Sequence, residues 1–165
     1  MTTHRRHKGI VSYPSELDIA VTRHFDAPLQ LVYDVLTKPE LLTRTLAPFD
    51  TSLTEWEFDV RIGGDYRYTF QTPEGVNCSF RGRYLEIDPP THTAATWIFE
   101  GWPGVEAIET FDLSEENGVT AMVWKLAFAS VADRAHMSKT DGLEDNMDQI
   151  EDLIWELLDQ QPTNR

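Results

Sequence analysis

Glu109 is the residue whose surroundings make chemistry conceivable. In the stretch Val105 to Leu113 it shares its parity with Val105, Ala107, Phe111 and Leu113. A strand there sets an ionisable carboxyl into an apolar wall, which requires a partner or a raised pKa. Two readings follow. Glu109 is a cavity carboxyl that positions a ligand or moves a proton, or the strand bulges and releases it to solvent or to Arg81 or Arg83. A reaction needs two polar groups converging on one point, and Tyr66 or Tyr68 is the partner hydroxyl to pair with Glu109. Other chemistry is sparse. His4, His7, His24, His92 and His136 have no second His or Cys at ligand spacing, so no metal and no cofactor is expected. Cys78 alternates with Val76 and Phe80 and reads as a small apolar residue rather than a nucleophile. Gly63-Gly64 joins a strand to a strand, not to a helix, and so lacks the context of a phosphate loop. There is no Gly-x-Ser-x-Gly elbow.

The second set is aromatic. Trp56, Tyr66, Tyr68, Phe80, Tyr84, Trp97, Phe99 and Trp124 sit at alternating positions of successive strands, with Tyr33 on an early helix. They are core, or they line a cavity in which tyrosine hydroxyls orient a ligand. The candidate ligand-binding set is these eight residues from the strands with Glu109 and Met147. Phe99-Glu100-Gly101-Trp102-Pro103-Gly104 is a turn with an aromatic tip, at the rim of such a cavity or capping the sheet.

These residues must be positioned by strands and one helix. Leu17, Ile19, Val21 and Phe25 alternate with polar residues, as in a half-buried strand. Asp26-Ala27-Pro28 predicts a capped helix start, and Val32, Val35 and Leu36 its apolar face. Thr37-Lys38-Pro39-Glu40 has the spacing of a capping box. Trp56, Phe58 and Val60 begin a run of six strands. Its punctuation is Gly63-Gly64, Thr72-Pro73-Glu74-Gly75, Asp88-Pro89-Pro90 and Asn117-Gly118. The stretch Phe80 to Asp88 is one long strand. Its apolar parity switches from Tyr84 to Leu85 and Ile87, and Gly82 lies inside it, which predicts a bulge, a bend or a close backbone approach. Leu143, Met147, Ile150, Ile154, Leu157 and Leu158 recur at three and four, as on an amphipathic helix capped at Asp141 with Glu144 three residues on. Trp155 lies off that stripe and is expected against a sheet edge. The order predicts an α+β fold. A curved antiparallel sheet of about seven strands wraps a long C-terminal helix, with two short helices after the first strand.

With 165 residues the chain is one domain's worth, expected over residues 15–160, behind a mobile basic arm at 1–14 that carries Arg5, Arg6 and Lys8. The arm has no apolar core like a signal peptide. No run of about 18 apolar residues occurs, so no membrane insertion is expected. The single cysteine excludes an internal disulfide and fits a reducing, cytoplasmic compartment. A net charge of −14 argues against a nucleic-acid partner. Eight acids and no bases lie between Asp141 and Asp159. They are the solvated face of the last helix or a docking face for a basic partner.

The order of these elements resembles the START-like (SRPBCC), helix-grip superfamily, the fold of the birch pollen allergen. Within it, the chain is similar to bacterial proteins homologous to the C-terminal domain of the activator of the heat-shock-protein-90 ATPase. The resemblance runs from about Leu17 to Leu158. It rests on Phe25-Asp26-Ala27-Pro28, Thr37-Lys38-Pro39-Glu40-Leu41, Asp59-Val60-Arg61-Ile62-Gly63-Gly64, Phe80 to Ile87, Pro89-Pro90 and Gly118-Val119-Thr120. The paired tryptophans that often follow the second helix in the family are replaced here by Leu42 to Phe49, which reshapes the mouth of any cavity. The resemblance implies a hydrophobic cavity between sheet and helix that takes a small hydrophobic or aromatic molecule. Its alternatives are a polyketide cyclase-like or hydrolase-like enzyme, or a chaperone-accessory interaction domain in the stress response. A homodimer through the sheet edge or the acidic helix is compatible with either.

Overall fold

The computed structural model describes residues 6–137 and 142–161, with the side chains of 142–145 left aside. The described residues form β1 (Ile10–Ser12), β2 (Asp18–Phe25), α1 (Leu29–Thr37), α2 (Pro39–Leu46), β3 (Ser52–Phe58), β4 (Asp65–Gln71), β5 (Asn77–Asp88), β6 (His92–Phe99), β7 (Ala107–Glu116), β8 (Val119–Phe128), α3 (Val131–Met137) and α4 (Gly142–Gln160). All strands join one antiparallel sheet in the order β1-β2-β8-β7-β6-β5-β4-β3. The helix-grip architecture holds with eight strands instead of about seven. The extra strand is β1, which pairs with β2 through Val11 and Val21. The mobile arm expected over 1–14 is therefore corrected for residues 10–12, which add an edge to the sheet. His4 and Arg5 of that arm lie outside the described residues. The short helix α3 was also not foreseen.

Period-two patterning is what bends the sheet around the helix. On β8 the inward residues Thr120, Met122, Trp124, Leu126 and Phe128 are buried and their outward neighbours are half-buried. Asn117 (φ 53°) and Gly118 (φ 80°) make the two-residue turn before it. The parity switch in β5 is a bulge, because the β5–β6 register shifts between Tyr84 and Glu86. Gly82 is a point of close approach. A Cβ there would stand 1.9 Å from the Thr96 carbonyl oxygen and 2.6 Å from the Tyr66 ring. The Tyr66 hydroxyl donates to that same carbonyl (3.0 Å).

Two helix starts differ from expectation. Asp26 does not cap α1; its carboxylate lies 2.9 Å from His7 Nε2. The Leu29 N–H donates instead to Glu115 at the far end of β7 (2.6 Å), so tertiary structure supplies the cap. The Thr37 hydroxyl donates back to the Tyr33 carbonyl (2.7 Å), and α2 has no side-chain cap. The cap expected at Asp141 lies outside the described residues, as do the side chains of Leu143 and Glu144.

The main core lies where α1 and α4 meet β2 and β8. Phe25, Val32, Val35, Met122, Met147, Ile150 and Ile154 are almost entirely buried there. Arg23 shares that inward parity and is 2% exposed. Its guanidinium donates to Glu151 (2.9 Å), which is 1% exposed, and to Asp148 (2.8 Å). Arg6 pairs with Asp148 (2.8 Å) and Asp152 and lies over the Trp155 ring (4.8 Å). Arg44 of α2 pairs with Glu156. The acidic run is therefore not simply a solvated face. Four of its members fasten α4 to β2, α2 and the N-terminal segment, and Trp155 packs under an arginine.

Candidate functional site

The β4–β5–β6 side of the sheet is filled differently from the core. Tyr66 and Tyr68 project inward from β4, Phe80 and Tyr84 from β5, and Trp97 and Phe99 from β6. Cross-strand neighbours on one face stand within ring contact. Tyr68 lies 5.2 Å from Phe80, Phe80 lies 4.9 Å from Phe99, and Tyr66 lies 5.6 Å from Tyr84. Facing them are the end of α1, the segment Leu42 to Pro48 and the Asn146–Ile150 turn of α4. Rigid rings on a curved sheet do not fill this space, and a cavity of about 300 Å³ remains.

Eight of the ten expected residues border the cavity: Tyr66, Tyr68, Phe80, Tyr84, Trp97, Phe99, Glu109 and Trp124. Trp56 and Met147 are corrected. Trp56 pairs with Tyr68, but β3 is the edge of the sheet and Trp56 is 53% exposed there. Met147 lies on the α4 face turned to the core and is fully buried there. Tyr33 belongs to the core as well. Cys78 is half-buried opposite Phe70 and does not border the cavity.

The sequence reading missed the roof. Leu36, Leu42, Thr45, Leu46 and Pro48 line it from α1 and α2, and Asn146, Gln149 and Ile150 line it from α4. The segment that replaces the family's tryptophans is thus cavity wall. Asn146 and Gln149 are polar residues beside an apolar stripe, and no periodicity marks them. Each amide nitrogen donates to a backbone carbonyl past the middle of α2, Asn146 to Thr45 (2.7 Å) and Gln149 to Ala47. Trp102 reaches the rim and meets Phe99 (5.2 Å) and His136 (4.2 Å) edge-on.

Glu109 sits on the inner face of β7, between Ala95 of β6 and Leu126 of β8. Its Oε2 accepts from Trp124 Nε1 (2.8 Å), and the Trp124 ring stacks on Phe111. Arg81 and Arg83 do not reach it. Both stand on the outer face, Arg83 with Asp65 (2.8 Å) and Arg81 near Glu100 (3.6 Å). Burial pushes the Glu109 carboxyl up to about 7, only partly offset by the Trp124 hydrogen bond. Burial also drives the Tyr66, Tyr68 and Tyr84 hydroxyls upward, and the nearby Glu109 charge adds to each. The tyrosines are therefore neutral at physiological pH, while Glu109 is poised between two charge states. The arrangement can enclose an apolar body and hold one polar group of it.

Among the described residues no helix is long and apolar enough to cross a membrane. The sequence profile of the family described as "Activator of Hsp90 ATPase homolog 1-like protein" matches residues 26–154. A search of curated proteins finds no match. Solved structures share the fold. A protein from Rhodobacter sphaeroides has 22% identity and a TM-score of 0.83 over 90% of this chain and 98% of its own. One from Chromobacterium violaceum has 25% identity and a TM-score of 0.72 over 83% and 96%. CalU16 from Micromonospora echinospora has 21% identity and a TM-score of 0.64 over 94% and 90%. With most of its length matched, the chain belongs to the family of activator of Hsp90 ATPase homolog 1-like proteins, within the START-like superfamily.

Proposed function

We propose that the protein binds a small hydrophobic or aromatic molecule between the sheet and α4. One observation carries this reading: a cavity of about 300 Å³ lined mainly by aromatic and aliphatic side chains lies beside the buried core. Ligand sites typically occupy roughly 300–1,000 Å³, with apolar walls and a few placed polar groups. Here aromatic rings supply the walls and Glu109 is the carboxyl among the described lining residues. Membership of a START-like family supports the same reading.

A thermal-shift screen of neutral aromatic and aliphatic compounds, followed by native mass spectrometry, tests it. A ligand at 100 times its Kd adds about 2.7 kcal/mol, which corresponds to a Tm rise of roughly 5–10 °C for a domain of this size. If no compound raises Tm and only the unliganded mass is seen, the proposal fails.

Glu109 also favours a second reading, a polyketide cyclase-like or hydrolase-like enzyme. A carboxyl near 7 beside neutral tyrosines suits general acid–base work. Aryl esters and β-dicarbonyl compounds are the test substrates. Turnover that disappears in Glu109→Gln supports catalysis, and absence of turnover across both classes removes it.

A further inference from the structure

Several donors of the cavity wall are spent on the protein's own backbone. Tyr66 donates to Thr96, Asn146 to Thr45, Gln149 to Ala47, and the Thr45 hydroxyl to Leu42. The Tyr68 and Tyr84 hydroxyls border the cavity as well and can donate or accept. The Gln149 side-chain oxygen is buried with no donor. Its amide cannot be turned round without setting that oxygen against the Ala47 carbonyl. Asn146, whose nitrogen is committed to Thr45, likewise turns its oxygen away from that bond. Glu109 has Trp124 as its donor on one oxygen.

The charge of the wall is unbalanced. Glu109 borders the cavity, and among the described residues no Lys, Arg or His does. Arg81 and Arg83, the nearest candidates in sequence, are engaged on the outer face. The carboxyl shares the cavity with the aromatic rings of Tyr66, Tyr68, Tyr84 and Phe111, and Trp124 turns its N–H edge to it. Ring faces attract ammonium groups within about 6 Å of the centroid, most strongly when water is excluded. The net charge of −14 adds a field that draws cations and repels anions.

We infer that the cavity is selective for a small aromatic amine in its ammonium form, the ring held among the aromatic walls and the N–H donors directed to Glu109. This rests on the ligand-binding role proposed above and assigns its ligand class. A neutral apolar molecule leaves the Glu109 carboxylate without a cationic partner. An anion of the same shape is set against a carboxylate with no cation to offset it.

Three isosteric probes separate these outcomes: tryptamine, 3-ethylindole and indole-3-propionate. Calorimetry at pH 8 measures each against the wild-type chain and Glu109→Gln, which keeps an acceptor for Trp124. A charge-assisted hydrogen bond is expected to make tryptamine bind about 10- to 100-fold tighter than 3-ethylindole. Indole-3-propionate should be weakest. In Glu109→Gln the tryptamine advantage over 3-ethylindole should disappear, and a far-ultraviolet circular dichroism spectrum matching the wild type shows that the variant is folded. If 3-ethylindole binds as well as tryptamine, the amine assignment is overturned and the ligand-binding role stands. If the acid binds best, the assignment is overturned as well. If none of the three binds and the neutral screen is also empty, both readings fall together.

Discussion

Replacing Glu109 by glutamine isolates the cost of a single buried charge. Burial pushes the native carboxyl from an ordinary 4.5 up to about 7, and the hydrogen bond from Trp124 offsets only part of that rise. Between those two values the native state holds a proton that the unfolded chain has released. Stability therefore falls as pH rises through that window. The interval is about 2.5 pH units, or ~3 kcal/mol in total, worth roughly 6–12 °C in Tm. Urea denaturation at pH 5 and pH 8.5 measures it. At pH 5 the native side chain is neutral in both chains, and only the first part of that loss, about 1 kcal/mol, is present. At pH 8.5 Glu109→Gln should be the more stable by up to about 3 kcal/mol. Subtracting the two chains is essential, because His92 acts in the same direction. Its hydrogen bonds to Asp112 and Glu86 hold its pKa above the ordinary 6.5, so the stability it adds at low pH is also lost as pH rises. That contribution is common to both chains and cancels. A difference between them that stays flat within about 0.5 kcal/mol from pH 5 to 8.5 would refute the reasoning, since it would mean that water reaches the carboxyl freely.

Other outcomes follow from the same structure. Arg23→Met leaves Glu151 buried without its main cation and should cost about 3–5 kcal/mol. Adding Glu151→Leu should restore most of that loss in chemical denaturation. Gly82→Ala drives a methyl into the Thr96 carbonyl and the Tyr66 ring and should cost about 2–3 kcal/mol, visible as a lower urea midpoint. Glu115→Ala removes the acceptor for the Leu29 N–H at the start of α1 and should cost about 1 kcal/mol, read as a Tm decrease of a few degrees. Lowering pH toward 3 should loosen α4. Burial raises the Asp148 carboxyl, but hydrogen bonds from Arg23 and Arg6 outweigh it and hold the native pKa below 3.8. That stability is present above 3.8 and lost as pH falls through the native value. Helical circular dichroism in Arg6→Ala should show the loss beginning at higher pH.

The sheet was legible because its signals are local. Period-two alternation fixes which residues of β8 face inward, and Asn117-Gly118 fixes a turn, whatever the rest of the chain does. The bulge after Tyr84 was legible for the same reason, as a change of parity within one strand. Glu109 could be singled out because a charge among apolar residues of one parity stands out in a sequence. The failures share an opposite cause. Glu115 caps a helix 86 residues away, and Arg23 finds Glu151 across 128. Such pairs exist only after the chain has closed. Trp56 has the pattern of an inward residue, but that pattern does not bring burial at the edge of a sheet. The roof residues were missed because cavity walls carry no period. They are whatever side chains face a space that no element fills.

The junction at Gly82 bears on how such a cavity can be reshaped. Phe80, Thr93 and Phe111 border the space with side chains alone, and exchanging one of them alters the shape or polarity offered to a ligand without touching a backbone hydrogen bond. Gly82 is different. Its missing side chain lets Tyr66 lie against β5 and reach the Thr96 carbonyl, so any residue placed there must reposition a strand and a tyrosine together. Single substitutions around the wall therefore change the shape of the cavity alone, while a side chain at Gly82 would disturb the sheet that carries the wall.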